Sequence, residues 1–152
     1  MSKEPFRYTS LAEVKDRASA LGVDLPLTEE TDLLKEPLEV AGRQIHTRLA
    51  IQPMEGCDGT PDGSPGELTR RRYRRFAESG AGLIWAEAVA VAQEGRANPR
   101  QLMLTRTNLD AFKRLTEDIR EWAVQATGRE PLLVMQATHS GRYSKPEGKP
   151  AP

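Results

Sequence analysis

A chain of 152 residues with 22 basic and 22 acidic side chains has a formal net charge of zero, which argues against a nucleic-acid or membrane-surface role for the chain as a whole. Its composition, 38% hydrophobic and 29% charged, is ordinary for a soluble protein, and no stretch approaches the ~20 apolar residues of a membrane span. The single cysteine, Cys57, excludes an internal disulfide and leaves too few thiols for a zinc or iron–sulfur site, while Met1 to Ser10 lacks the apolar core of a signal peptide. A cytoplasmic location is the expectation.

The first 36 residues read as a helical extension. Ser10 with Glu13 forms a capping-box pattern, and Leu11, Val14, Ala18 and Leu21 recur at helical spacing until Gly22 ends the run. Leu38-Glu39-Val40 and Gln44-Ile45-His46 then flank Ala41-Gly42, a hairpin in which glycine supplies positive φ. Such a hairpin either closes the floor of a barrel or lies as a surface ribbon.

Three strand-like runs follow: Arg48 to Met54, Gly82 to Ala88 and Leu132 to Ala137. Between the first two, Gly56 to Gly66 holds four glycines and two prolines in eleven residues, a loop composition. Ser64-Pro65-Gly66-Glu67 predicts a serine-capped helix from about Pro65, with Leu68, Tyr73, Phe76 and Ala77 on its buried side. Five arginines crowd between Arg70 and Arg75, and with Glu67 and Glu78 nearby they read as a solvated face. Gln93 to Leu104 is a long loop of the kind that shapes a pocket at strand C-terminal ends. Thr107 with Asp110 predicts the next helix cap, and Leu109, Phe112, Leu115, Ile119, Trp122 and Ala126 form its core stripe, which ends at Gly128. Strand, helix, strand, helix, strand is the order of a parallel sheet with crossover helices, whose sites lie at the strand C-terminal ends.

The only histidines are His46 and His139, so no paired-histidine metal motif exists, and neither a P-loop nor G-x-G-x-x-G is present. His139 and Ser140 are adjacent, a poor geometry for a nucleophile and its base. A site for a flat ring at the strand ends remains. Gln136 offers both a donor and an acceptor to an alternating carbonyl and N–H edge, and Ala88 lets the backbone approach closely. Pro53 and Met54 add a rigid turn and a polarizable contact.

Three blocks carry a family resemblance: Arg48-Leu49-Ala50-Ile51-Gln52-Pro53-Met54; Tyr73-x-x-Phe76-Ala77-x-x-Gly80-Ala81-Gly82-Leu83-Ile84-x-x-Glu87-Ala88; and Gln136-Ala137-x-His139-Ser140-Gly141-Arg142-Tyr143. In order and in register from about Pro37 to Pro152, they resemble the N-terminal blocks of the old yellow enzyme family of FMN-dependent NAD(P)H:flavin oxidoreductases. The resemblance implies the N-terminal portion, about three strand–helix units, of a TIM (β/α)8 barrel over 37–152, which in full typically takes ~250 residues. It also implies FMN contacts from Pro53, Met54, Ala88 and Gln136, NADH or NADPH as reductant, and an electron-poor alkene or related small molecule as acceptor. Glu55 stands where some members of the family place a flavin-tuning cysteine or threonine, and Cys57, two positions on, does not inherit that role. His139 and Arg142 are weaker pocket candidates. The family's acceptor-binding pair, proton donor and phosphate grip correspond to sequence beyond residue 152, so catalytic residues are expected there.

Two classes of function follow. One is the N-terminal part of an FMN oxidoreductase. The other is a non-catalytic barrel fragment, acting as an interaction module or as half of a split enzyme, which associates with itself or with a complementary barrel half. On either reading the 152 residues alone are expected to bind FMN poorly.

Overall fold

The structure is a computed structural model that describes residues 6–150. The first five residues of the Met1–Ser10 segment, and the last two of the run of family resemblance, lie outside the described residues. The chain divides into two compact units, one ending at Leu33 and the other beginning at Leu34.

In the first unit, α1 spans Leu11–Ala20. Ser10 Oγ accepts from the Glu13 amide at 3.3 Å, as the cap requires. The Glu13 carboxylate, however, reaches back to the Thr9 amide at 2.8 Å. The first bond satisfies an amide that the first helical turn leaves without a partner, and the second ties the residue before the cap to that turn. Phe6 and Tyr8 stack edge to face at 4.9 Å, and with Val14, Ala18 and Leu21 they line a shallow apolar groove.

The second unit opens on an antiparallel hairpin, β1 (Leu38–Val40) and β2 (Arg43–Ile45). Both turn residues are left-handed, Ala41 at φ 50° and Gly42 at φ 73°, so the turn matches the strand twist and the second strand starts one residue earlier than predicted.

The parallel sheet has the order β3 (Ala50–Ile51), β4 (Leu83–Ala90), β5 (Leu132–Thr138). The first run pairs over only two residues, far fewer than Arg48 to Met54. Pro53 has no N–H for the ladder, and the Met54 amide turns back to Gln52 O at 2.9 Å. Helix α2 (Glu67–Glu78) connects β3 to β4, and α3 (Leu109–Thr127) connects β4 to β5. A core of Tyr73, Ala77, Ile84, Leu115, Ile119 and Ala123 forms between the helices and the sheet.

Both helix starts differ from the sequence expectation, because polar side chains found other partners. The Ser64 hydroxyl donates to Asp62 at 2.7 Å, and the Gly66 amide bonds Thr69 Oγ1 at 3.2 Å, so Gly66 flanks a helix that begins at Glu67. Asn108, not Thr107, flanks α3, and its Oδ1 accepts from the Thr105 amide at 2.8 Å. Leu68 lies 56% exposed, and its predicted inward place is taken by Thr69, which is fully buried. The stripe on α3 likewise passes through Ala123 and leaves Ala126 exposed.

Candidate functional site at the strand ends

The β4–β5 register brings two of the predicted ring contacts side by side. Trp85 pairs with Val134 and Ala88 with Gln136, so three steps on β4 match two on β5. The extra residue is a bulge, which re-aims the strand and turns Glu87 out of the ladder. Ala88 is buried, and among the described residues the half-buried Gln136 amide has no hydrogen-bonding partner. Pro53 and Met54 follow β3 and are exposed.

Glu55 turns toward the loop after β4. Its two carboxylate oxygens accept from Asn98 Nδ2 and Gln101 Nε2, each at 3.4 Å. Gln101 Nε2 also donates to Ala88 O at 3.2 Å, linking Glu55 to the Ala88 backbone. Burial foremost, then the charge of Glu87, raises the Glu55 carboxyl above its ordinary value, with the Asn98 bond partly offsetting them. Cys57 is exposed, and Asn98 Nδ2 lies 3.3 Å from its Sγ. Burial and the charges of Glu55, Glu87 and Asp58 push its thiol up, which disfavours the reactive thiolate.

His139 and Arg142 do different things. The His139 ring packs on Gly95, where a Cβ would lie 2.6 Å from Cδ2, and Nδ1 accepts from the Gly141 amide at 3.0 Å. Arg142 is exposed, donates to the Tyr143 hydroxyl at 3.0 Å and stacks over that ring at 4.9 Å.

Sequence reasoning missed the polar framework behind these residues. Arg72 does not belong to the solvated face. Its Nη2 donates to Glu87 Oε1 at 2.7 Å and Asp58 Oδ1 at 2.9 Å, and its Nε reaches Asp58 Oδ2 at 3.3 Å. Glu87 Oε2 accepts from the Gly56 amide at 3.0 Å, and Thr69 Oγ1 donates to Asp58 at 2.6 Å. Burial opposes the Arg72 charge, but bonds to Asp58 and Glu87 outweigh it and raise its pKa. Burial also raises Asp58, yet Arg72 and Thr69 hold it below the ordinary carboxylate value. The Tyr73 hydroxyl accepts from the Glu87 amide at 2.9 Å, and burial together with the Glu87 charge pushes that phenol up to about 12. Its spacing was the available signal, since Arg72 sits three residues after Thr69 and four before Phe76, along the inward side.

The other arginines of α2 remain on its outer side. Arg70 pairs with Asp118, Arg74 pairs with Glu78 at 2.8 Å, and both cations lie over Trp122, at 5.7 and 5.9 Å.

Arg96 is the second hidden cation, 1% exposed. Its guanidinium donates to Pro61 O at 2.8 Å and to Pro99 O and Gln101 O at 2.7 Å each. The Lys145 amide in turn donates to Arg96 O at 2.8 Å. One side chain thus fastens the loop after β3 to the loop after β4, and its backbone holds the segment after β5. Gly63, at φ +86°, allows the loops to approach, since a Cβ there would lie 2.6 Å from Met103 Cβ.

An apolar cavity of about 360 Å³ lies elsewhere, on the helix side of the sheet, lined by Leu104, Phe112, Leu115, Leu133 and Met135 among others. Among the described residues no helix is long and apolar enough to cross a membrane.

Comparison with known proteins bears out the old yellow enzyme resemblance. The chain is 29% identical over 120 residues to an NADPH dehydrogenase of Geobacillus sp. (strain WCH70), covering 77% of this chain and 33% of that protein. Its fold is similar to that of Old Yellow Enzyme from Pichia sp. AKU4542 (TM-score 0.63, 22% identity, 74% of this chain and 28% of that one). It is also similar to morphinone reductase in complex with tetrahydroNAD (TM-score 0.61, 23% identity, 73% and 28%). No family profile matches the chain. The class is therefore the parallel α/β architecture of the old yellow enzymes. More particularly, the chain resembles part of such an enzyme and spans about a third of the length of its curated relative.

Proposed function

We propose that residues 37–152 form the first strand–helix units of an FMN-binding (β/α)8 barrel that acts as an NAD(P)H-dependent oxidoreductase, and that residues 1–36 are an extension to it. The observation that carries the reading is the pairing of Ala88 with Gln136 at the ends of parallel strands, with the Gln136 amide unengaged among the described residues. A donor and an acceptor on one flat amide suit the alternating edge of a flavin, and methyl-sized Ala88 leaves room beside it. The residues present therefore fit one edge of the ring.

When bound, FMN supplies a centre that takes a hydride from NADH or NADPH and passes it to an electron-poor alkene or related acceptor. Gln136 would hold and orient the ring edge. Pro53 and Met54 would close over it with a rigid turn and an apolar contact. Glu55, drawn aside by Asn98 and Gln101, adds less negative charge beside the ring than a free carboxylate would. His139 braces the loop after β5 against Gly95, which supports a part in shaping the mouth.

A second reading, a non-catalytic segment that docks on another chain, is favoured by the exposed Trp85 on one face of the sheet and, on the other, by the apolar cavity that the exposed Met135 helps to line. The deciding experiment is a flavin titration of the protein carrying this segment in a complete barrel, with Gln136→Leu beside it. Leucine nearly keeps the volume and removes the amide, so affinity should fall about ten- to a hundredfold. Unchanged affinity removes the flavin assignment and leaves the docking reading.

A further inference from the structure

We propose that Arg72 is a positioning residue for the site loop: clamped between Asp58 and Glu87, it fixes the Pro53–Cys57 turn against the β4 bulge. What that turn holds rests on the flavin reading; its closure does not.

The geometry is specific. Arg72 comes from α2, Asp58 from the loop after β3, and Glu87 from the bulge in β4. The planar fork bonds both carboxylates, and its Nη1 lies 3.5 Å from Met54 O. Glu87, whose side chain is 1% exposed, uses its second oxygen to hold the Gly56 amide. One oxygen of Glu87 therefore holds the turn directly at Gly56, and the other holds the Arg72 guanidinium. Gly56 is needed because a Cβ at that position would collide with the Arg72 guanidinium. Two carboxylates so placed repel each other unless a cation lies between them, and a rigid bidentate fork does this better than a single ammonium. Arg72 thus acts on the ring-edge residues through Gly56, Asp58 and Glu87, without touching a ligand itself.

The test uses the full chain and no flavin. Amide hydrogen exchange reads Gly56 against Ile119 in the core of α3, and Ellman's reagent reads Cys57, the only cysteine, across pH. The thiol faces Glu55, Asp58 and Glu87, with Arg72 between the last two, so its reactivity follows the charge of the latch. Arg72→Met should speed exchange at Gly56 about ten- to a hundredfold while Ile119 stays protected. Arg72→Lys, which keeps the charge and loses the fork, should recover part of that protection. Glu87→Gln should move the thiol's half-reactive point to lower pH, because one of the charges raising it is gone. Unchanged Gly56 exchange in Arg72→Met, or Gly56 and Ile119 losing protection in step in both arginine variants, overturns the proposal. So does a thiol profile unmoved by Glu87→Gln. If Gln136→Leu leaves FMN affinity intact while these readings hold, the flavin reading fails and the latch stands.

Discussion

At the strand ends, three buried polar side chains find partners within the chain: Arg72 with two carboxylates, Arg96 through its Nη atoms with three backbone carbonyls, and Gln101, 1% exposed, with Glu55 and Ala88, while Arg96 Nε and Ser144 Oγ stay unpaired among the described residues. One layer down, the apolar side chains have no such closure. Trp85 is 43% exposed, although its neighbour Ile84 on the same strand is core. Parallel strands are ordinarily buried on both faces. Here the helix side of β3 and β4 is covered, and among the described residues Trp85 on the other face is not. The contrast teaches that the rim above the strand ends is assembled from local loops and one helix, whereas burial of the strands' second face needs further polypeptide or another molecule.

The largest effect expected is on the covered side. Ile84, 1% exposed at the centre of the core, should cost ~2–5 kcal/mol of stability on change to alanine, through lost transfer energy and the cavity left behind. Urea unfolding followed by far-UV circular dichroism measures it. A cost below about 1 kcal/mol would mean that the helix side is as loosely closed as the other face, and the comparison would break.

That core was legible in the sequence because its determinants are periodic and local. Tyr73, Ala77, Leu115 and Ile119 fall on helical spacing, and the three strand runs lie where expected, with the first shortened by Pro53. The rim was legible only in part. Gln136 and Ala88 were found as strand-end residues, but their pairing depends on a bulge, and nothing in Trp85-Ala86-Glu87-Ala88 marks which residue is the extra one. Arg72 was hidden inside a run of five arginines, and its partners lie 14 and 15 residues away on other elements. A carboxylate within the apolar run at Glu87 was the better clue, since a buried charge requires a partner. Arg96 carried little signal, because three of its four acceptors are backbone carbonyls, which any sequence supplies, and the fourth is the neutral side chain of Gln93.

The rim should reveal itself through acid. Asp58 has a folded pKa below its unfolded value of ~3.9, so its contribution is fully present above that value and is lost as pH falls through the folded pKa. Asp58→Asn, which leaves Arg72 with one carboxylate, should cost ~1–3 kcal/mol at neutral pH. It should also flatten this part of the acid limb below the ordinary carboxylate value. Denaturant midpoints for both proteins at several pH values test it, and parallel acid limbs would mean that Asp58 is not held by the latch.

The smallest effect belongs to the open face. Trp85 and Ile84 are neighbours on β4 that point to opposite sides of the sheet, so the pair compares the two faces at one place in the chain. If nothing covers Trp85, alanine there loses little that folding had buried, and the change in stability should stay within about 0.5 kcal/mol. Binding of an apolar dye such as ANS should fall in the same variant, because the indole is part of the exposed surface. A loss above about 1.5 kcal/mol would mean that the indole is covered in solution by another molecule. Repeating the measurement over a hundredfold range of protein concentration then identifies a second copy, since only self-association makes the Trp85→Ala cost grow with concentration.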